Sequence, residues 1–119
     1  MLKKKQLAKK SIIIAEVGQN HQGDVRIAEK YFKEFAQLGA NVIKFQTRNN
    51  KSLFSKNAYN KVYNSENAFA ETYGKHREKL ELTKKDLTHL KSICKKYNVK
   101  FMSTPFDEKS LKLLIDVNV

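Results

Sequence analysis

The 119-residue sequence is poor in the residues that mark several protein classes, with one cysteine, one proline, four glycines and no tryptophan. The single cysteine, Cys94, cannot form an internal disulfide, which excludes a disulfide-stabilised scaffold and fits a reducing compartment. The low glycine and proline content excludes collagen-like and low-complexity chains. Because 40% of the residues are hydrophobic, the chain can bury a core, and we expect one globular domain at most.

Long apolar runs are also missing from the sequence. Runs such as Ile12–Ala15 are far shorter than the roughly 18–20 residues that a membrane-spanning helix needs. The lysine-rich N-terminus is not followed by the apolar stretch of about 7–15 residues that a secretory signal contains. We therefore expect no membrane span, no signal peptide and a cytoplasmic location.

Acidic residues are scarce, with 12 against 24 basic residues, and the formal net charge is +12. Residues 1–10 hold five lysines and no acid, and residues 41–65 hold five basic residues and no acid. We interpret residues 1–10 as a solvated basic N-terminal tail. One alternative is a non-catalytic basic module that binds nucleic acid or an acidic partner, with steep salt dependence. The basic residues form no known recognition element, so we expect no nucleic-acid partner.

Three short apolar segments have the composition of buried strands: Ile12–Ala15, Asn41–Phe45 and Val99–Ser103. Segments whose apolar residues have helical spacing lie between these strands and after the last one. The links from helix to strand are only a few residues long. The order is strand, helix, strand, insert, helix, strand and helix. This order is typical of βαβ units, so the sequence predicts an α/β fold with a parallel sheet.

Capping residues predict where the helices begin and end. Asp24 is a candidate N-cap for a helix that runs to about residue 38. Thr83, with Asp86 three residues later, forms a variant of the capping box, and Asn98 can end that helix in the left-handed conformation. Asp107 begins a third helix near the end of the sequence.

A long insert at about residues 47–82 separates the second strand from the second helix. A strand-to-helix connection usually has about 2–6 residues, so this length indicates an active-site loop or a disordered insertion. Its spaced aromatic residues favour an ordered, packed loop: Tyr59, Tyr63, Phe69 and Tyr73.

Polar residues follow or end each predicted strand, where ligands bind in parallel sheets. Lys44 is the most informative of these residues, because it lies within a segment that otherwise has the composition of a buried strand. An ammonium buried there without a partner would cost several kcal/mol. Strand alternation places Lys44 and Gln46 on one face. Lys44 has two open interpretations: an anion-binding lysine, or a structural lysine at an edge or in an ion pair with Glu16. Glu16 is then a general base, a hydroxyl-binding carboxylate or the lysine's partner, and Thr104 is an anion contact or part of a turn.

The other polar motifs are less specific. His21 lies in the first strand-to-helix loop, where a catalytic or metal-binding imidazole is commonly found. The three histidines show no metal-ligand spacing, and the glycines form neither a dinucleotide fingerprint nor a phosphate loop. The sequence therefore gives no indication of a nucleotide cofactor.

Taken together, three motifs resemble the sialic acid synthase (N-acetylneuraminate synthase) family. They are IIAEVGQNHQGD at residues 13–24, GANVIKFQT at residues 39–47 and STPFD at residues 103–107, in the family's order. Residues 72–82 of the insert also look like the loop that precedes the family's second helix. The resemblance spans residues 11–119.

This resemblance implies a parallel β/α barrel of the TIM type, of which residues 11–119 would form the N-terminal portion with about the first three βα units. It implies condensation of phosphoenolpyruvate with N-acetylmannosamine or a related hexosamine, giving a nonulosonic acid and phosphate for surface polysaccharide biosynthesis. The alternative products are legionaminic and pseudaminic acid. We expect an incomplete barrel to be inactive by itself and the full-length protein to be a homodimer.

The resemblance also implies roles for individual residues. Glu16 matches the catalytic carboxylate, and Lys44, Gln46 and Thr104 match residues that bind phosphoenolpyruvate. Two loop residues are carried over as candidate contributors without a defined role: Asn20 and His21. The family uses a divalent metal, Mn²⁺ or Mg²⁺, and we expect no metal ligand within this segment, because the family's metal-binding histidines lie further along its sequence.

Overall fold

A computed structural model describes residues 11–119, so the predicted basic tail at residues 1–10 lies outside the described residues. The elements confirm the predicted alternation of strands and helices. They are β1 (Ile14–Gly18), α1 (Val25–Gln37), β2 (Val42–Thr47), α2 (Asn50–Leu53), α3 (Lys56–Asn60), α4 (Tyr73–Lys79), α5 (Lys84–Tyr97), β3 (Lys100–Pro105) and α6 (Glu108–Asp116). Within residues 11–119, every helix is too short or too polar to cross a bilayer.

The three strands form one parallel sheet in the order β1-β2-β3, as the sequence predicts. Lys44 of β2 is in register with Glu16 of β1 on one side and with Met102 of β3 on the other. Gln46 is in register with Thr104. The described residues supply three strands, so the closed barrel stays a prediction.

Each strand begins later and ends later than its apolar segment predicts. The isoleucines of the first segment are not buried: Ile12 is 73% exposed and Ile13 is 56% exposed. Backbone pairing instead continues through polar residues as far as Gly18, Thr47 and Pro105. The physical reason is that strand pairing uses backbone N–H and C=O groups, which do not depend on the polarity of the side chain.

Helices cover one face of the sheet and form the core with it. Strand alternation sends Ile43 and Phe45 of β2 to this face, and both are almost fully buried. Three phenylalanine rings, those of Phe32, Phe45 and Phe101, meet edge to face with centroids 5.2–5.8 Å apart. Helix α5 closes the core with Leu87 and Leu90.

The predicted helix caps are confirmed. The Asp24 side chain accepts from the Arg26 N–H, and Thr83 forms both bonds of a capping box with Asp86. Asn98 ends α5 in the left-handed conformation, with φ of 54°. An N-cap of this kind contributes about 1 kcal/mol to stability, so short sequence signals fix the ends of the helices.

The long insert is ordered, as its aromatic residues predict. It holds three short helices and an antiparallel bridge between Val62 and Thr72. His76 is buried among aromatic rings, and its Nδ1 accepts a hydrogen bond of 3.1 Å from the Phe69 N–H. Burial, with a smaller contribution from Arg77, lowers the pKa of His76, which keeps this acceptor nitrogen free of a proton.

Gly23 brings the loop after β1 against the end of α4. Its φ is +74°, in the left-handed region that favours glycine. A Cβ at this position would lie 2.1 Å from the carbonyl oxygen of Lys79, which is backbone and cannot rotate away. The close contact between the first loop and the insert therefore requires glycine, which has no side chain, at position 23.

We expect Gly23→Ala to destabilise the full-length natural protein by at least about 3 kcal/mol, because strain and a backbone clash add. Gly39→Ala is the matched control, since Gly39 has φ of +92° but no heavy atom within 4 Å of the added Cβ. Its cost should be only about 1–2 kcal/mol from backbone strain. Urea unfolding measures both, and equal losses would contradict the proposed close approach.

Candidate active site

The structure brings four predicted site residues together on the open face of the sheet. Strand alternation and register put Glu16, Lys44, Gln46 and Thr104 on the face that helices α1 and α5 do not cover. The Lys44 Nζ donates a hydrogen bond of 2.6 Å to Glu16 Oε2. The side chains of Lys44 and Glu16 are 30% and 45% exposed, so solvent reaches both groups.

The ion pair between Lys44 and Glu16 is one of the two interpretations that the sequence left open for Lys44, and the structure contains this contact. A solvent-accessible ion pair contributes only about 0–1 kcal/mol to stability. Stability alone therefore does not explain why two charged residues lie in the middle of an otherwise apolar sheet. The ammonium also has three donors, and Glu16 accepts only one of the resulting hydrogen bonds. The arrangement therefore leaves Lys44 able to bind an anion.

Gln46 is the penultimate residue of β2 and lies beside the start of the first loop. Its Oε1 accepts a hydrogen bond of 2.7 Å from Arg48 Nη2. Its Nε2 lies beside Gly18, where an added Cβ would come within 3.5 Å of that nitrogen. Thr104, in register on β3, is half-buried next to it. Gln46 and Thr104 therefore lie side by side near the carboxyl ends of their strands.

The structure places His21 away from these four residues. Its side chain is 1% exposed and packs against Phe45, with ring centroids 4.8 Å apart, on the core face. His21 Nδ1 accepts a hydrogen bond of 3.1 Å from the Gly23 N–H, and burial lowers the pKa of His21 to about 4. We therefore assign His21 to the structure of the loop. Asn20 lies exposed in the same turn, and its candidate role stays a prediction.

A polar network at the carboxyl ends of the strands was not predicted from the sequence. Arg77 of α4 donates to Gln19 of the first loop, and Gln19 donates to Glu81. Glu81 also accepts a hydrogen bond of 3.0 Å from the Arg48 N–H. Burial raises the pKa of Glu81. Among the residues of this network, only Arg48 could have been found from the sequence, because it continues the two-residue spacing of Lys44 and Gln46.

Asp107 ties the ends of β2 and β3 together. Its Oδ2 accepts a hydrogen bond of 2.7 Å from the Asn49 N–H, and its Oδ1 accepts one of 2.8 Å from the Ser110 N–H. The Arg48 guanidinium lies over the Phe106 ring at 3.8 Å from its centroid. The loops that frame the open face are thus held by both polar and aromatic contacts.

Residues 11–119 bring no three His, Cys, Asp or Glu side chains close enough together to hold a metal ion. Glu16 is paired with a lysine, and His21 is buried in the core. On the open face, the Lys44 ammonium is a donor that suits an anion.

The low pKa of His21 predicts how stability depends on pH. A native pKa of about 4 lies below the unfolded value of 6.5, so the unfolded state binds more protons between these values. Stability from this group is complete above about pH 6.5 and is lost as the pH falls towards 4, by up to about 1.4 kcal/mol per pH unit. NMR of the full-length protein should show neutral His21 at pH 5. Titration near pH 6.5 would contradict this, and His21→Asn should flatten the slope.

Comparisons with known proteins identify the family of the chain. A model described as the NeuB family matches residues 31–119. The chain is 41% identical to the N-acetylneuraminate-9-phosphate synthase of Drosophila melanogaster, over 90% of this chain and 29% of that protein. It is 38% identical to the N,N'-diacetyllegionaminic acid synthase of Campylobacter jejuni, over 93% of this chain and 34% of that protein.

A solved structure shares the fold. The N-acetylneuraminic acid (sialic acid) synthetase of Leptospira borgpetersenii, in complex with citrate, superposes with a TM-score of 0.70 at 32% identity. The match covers 91% of this chain and 33% of that one. The chain therefore spans about a third of the length of the relatives that it matches. Because the family match covers most of the sequence, the chain belongs to the NeuB family.

Proposed function

We propose that the full-length natural protein is a sialic acid synthase-type enzyme. It condenses phosphoenolpyruvate with N-acetylmannosamine or a related hexosamine and releases inorganic phosphate and a nonulosonic acid. Membership of the NeuB family and the names of the relatives support this class of reaction. The observation that carries it is the 2.6 Å contact between Lys44 and Glu16 on an open face that also bears Gln46 and Thr104.

In this proposal the open face binds phosphoenolpyruvate through its anionic groups. Lys44 supplies a compact ammonium in the middle of the sheet, which suits a phosphate or carboxylate oxygen. Gln46 and Thr104, side by side in register, supply an amide and a hydroxyl as further donors. The three groups lie on rigid strands, so the enol would be held in a fixed orientation.

Glu16 is the proposed catalytic residue. The methylene carbon of phosphoenolpyruvate attacks the aldehyde carbon of the open-chain sugar, and the carbon that bears the phosphate becomes oxocarbenium-like. Water adds to that carbon, and the first proton that it loses goes to the former aldehyde oxygen, which becomes a hydroxyl. The added hydroxyl then gives its proton to the departing phosphate as the bond to the phosphate oxygen breaks, which leaves the ketone of the product. In this proposal the Glu16 carboxylate orients this water or a sugar hydroxyl, and its contact with Lys44, the proposed anion-binding residue, supports that role.

Several further features belong to the proposal for the full-length protein. The resemblance implies Mn²⁺ or Mg²⁺ in the reaction, and we place its ligands outside residues 11–119. We also propose a cytoplasmic homodimer, a TIM-type barrel completed by further βα units, and a role in surface polysaccharide biosynthesis. The relatives' names leave two kinds of acceptor open, one leading to a 9-phosphate product and one to a diacetylated product.

The reaction itself is directly testable with the full-length natural protein. We expect phosphate release and an α-keto acid product when phosphoenolpyruvate and a divalent metal are supplied with an N-acetylated hexosamine. The acceptors to compare are N-acetylmannosamine, its 6-phosphate and a diacetamido sugar. An absence of phosphate release with every acceptor would refute the proposed class of reaction.

Variants of the ion pair should separate binding from chemistry. Lys44→Ala should raise the KM for phosphoenolpyruvate at least about tenfold, since a charged hydrogen bond to the substrate is lost. Glu16→Gln should lower kcat by about 10² or more, as expected for an acid–base or orienting group. Lys84→Ala is the matched control, because Lys84 pairs with Asp116 on the exposed surface. Steady-state kinetics measure all three, and a Lys44 variant with unchanged response to phosphoenolpyruvate contradicts the assignment.

A further inference from the structure

The Gln46 carboxamide has a defined orientation in the structure. Its Oε1 accepts a hydrogen bond of 2.7 Å from Arg48 Nη2. A guanidinium has N–H donors and no acceptor, so the amide atom that faces it is the oxygen. The opposite orientation would place the Nε2 donors against a cation and would lose a charge-assisted hydrogen bond. Arg48 therefore determines which end of the amide is directed away from it.

The Nε2 end of the amide is directed towards Glu16. A Cβ built on Gly18 would lie 3.5 Å from Gln46 Nε2 and 3.8 Å from Glu16 Oε1. The amide donors and the carboxylate acceptor therefore approach one small space, which a side chain at position 18 would enter. Gly18 has φ of +60°, in the left-handed region that favours glycine. The donor end of Gln46 thus lies within the candidate active site.

Arg48 is itself held by its backbone and by its side chain. Its N–H donates a hydrogen bond of 3.0 Å to Glu81 Oε2. Its guanidinium lies over the Phe106 ring, 3.8 Å from the ring centroid. The Phe106 N–H donates a hydrogen bond of 3.1 Å to the carbonyl oxygen of Thr47, which keeps this ring beside the end of β2. Because these contacts fix the guanidinium, its bond to Gln46 keeps one geometry.

The surroundings of Arg48 favour a role through Gln46 over direct binding of an anion. Its Nη2 is occupied by the amide oxygen, and Phe106 covers one face of the guanidinium. Burial, followed by the positive charge of Arg77, lowers the pKa of Arg48, and the negative charge of Glu81 acts in the opposite direction. A carboxylate of the protein thus partly offsets the charge of Arg48 before any ligand binds.

We propose that Arg48 is a positioning residue that holds the Gln46 carboxamide with its Nε2 donors directed at phosphoenolpyruvate beside Glu16. The assignment rests on the proposed function and deepens it. An amide free to rotate would present its oxygen to the anionic substrate for part of the time, and the two would repel each other. A donor that is already oriented does not have to be ordered when the substrate binds.

A double-mutant cycle in the full-length natural protein tests whether Arg48 acts through Gln46. Arg48→Met removes the donors but keeps a long side chain over Phe106. We expect the KM for phosphoenolpyruvate to rise about 3- to 10-fold in Arg48→Met and about 10-fold or more in Gln46→Ala, with kcat changed by less than about threefold. The double variant should match Gln46→Ala, because Arg48 then has no amide to orient. Additive losses, or a fall in kcat at unchanged KM, would overturn the proposal.

Arg48→Lys tests whether a cationic donor is what orients the amide. An ammonium also has donors and no acceptor, so this variant should recover part of the KM that Arg48→Met loses. A lysine variant no better than Arg48→Met would contradict orientation by a donor. Arg26→Gln is the matched control and should leave the KM unchanged, because Arg26 is exposed on α1 and pairs with Asp24.

The orientation of the amide can also be measured without substrate. Nitrogen-15 relaxation of the Gln46 side-chain amide, whose signals are assigned by their loss in Gln46→Ala, should show a rigid group in wild type and a mobile one in Arg48→Met. An equally rigid amide in both proteins would overturn the positioning role. A loss of rigidity in Arg48→Met, with no turnover of any acceptor by wild type, would support that Arg48 orients Gln46 and would refute the proposed reaction.

Discussion

The parallel register of three strands is the constraint on which the rest of the structure depends. Because side chains alternate along β2, one face receives Ile43 and Phe45 while the other receives Lys44 and Gln46. Helices pack on the first face and supply the hydrophobic burial. The second face is then free to carry polar groups whose backbone is already satisfied by the sheet. A shift of one residue in register would place the lysine in the core and Phe45 on the open face.

Two partly buried carboxylates hold the loops around that face. Glu81 and Asp107 both accept from backbone N–H groups just beyond β2, so the start of the insert is fixed from two sides. Glu81 also interacts electrostatically with Arg48 and Arg77, whose positive charges partly offset the rise that burial causes in the pKa of Glu81. The same hydrogen bonds that order the loops therefore set the electrostatics of the candidate site.

The sequence by itself determined the order of elements, the parallel sheet, the caps at Asp24 and Thr83 and the shared face of Lys44 and Gln46, because these depend on local periodicity and capping chemistry. It did not determine that Ile12 is exposed or that His21 is buried, since burial depends on which elements pack over a residue. The sequence also did not predict the hydrogen-bond network of Gln19, Arg77 and Glu81, because more than fifty residues separate Gln19 from the other two. Only the tertiary structure decided these contacts, since packing of the insert brings distant polar groups into one low-dielectric region where their charges interact.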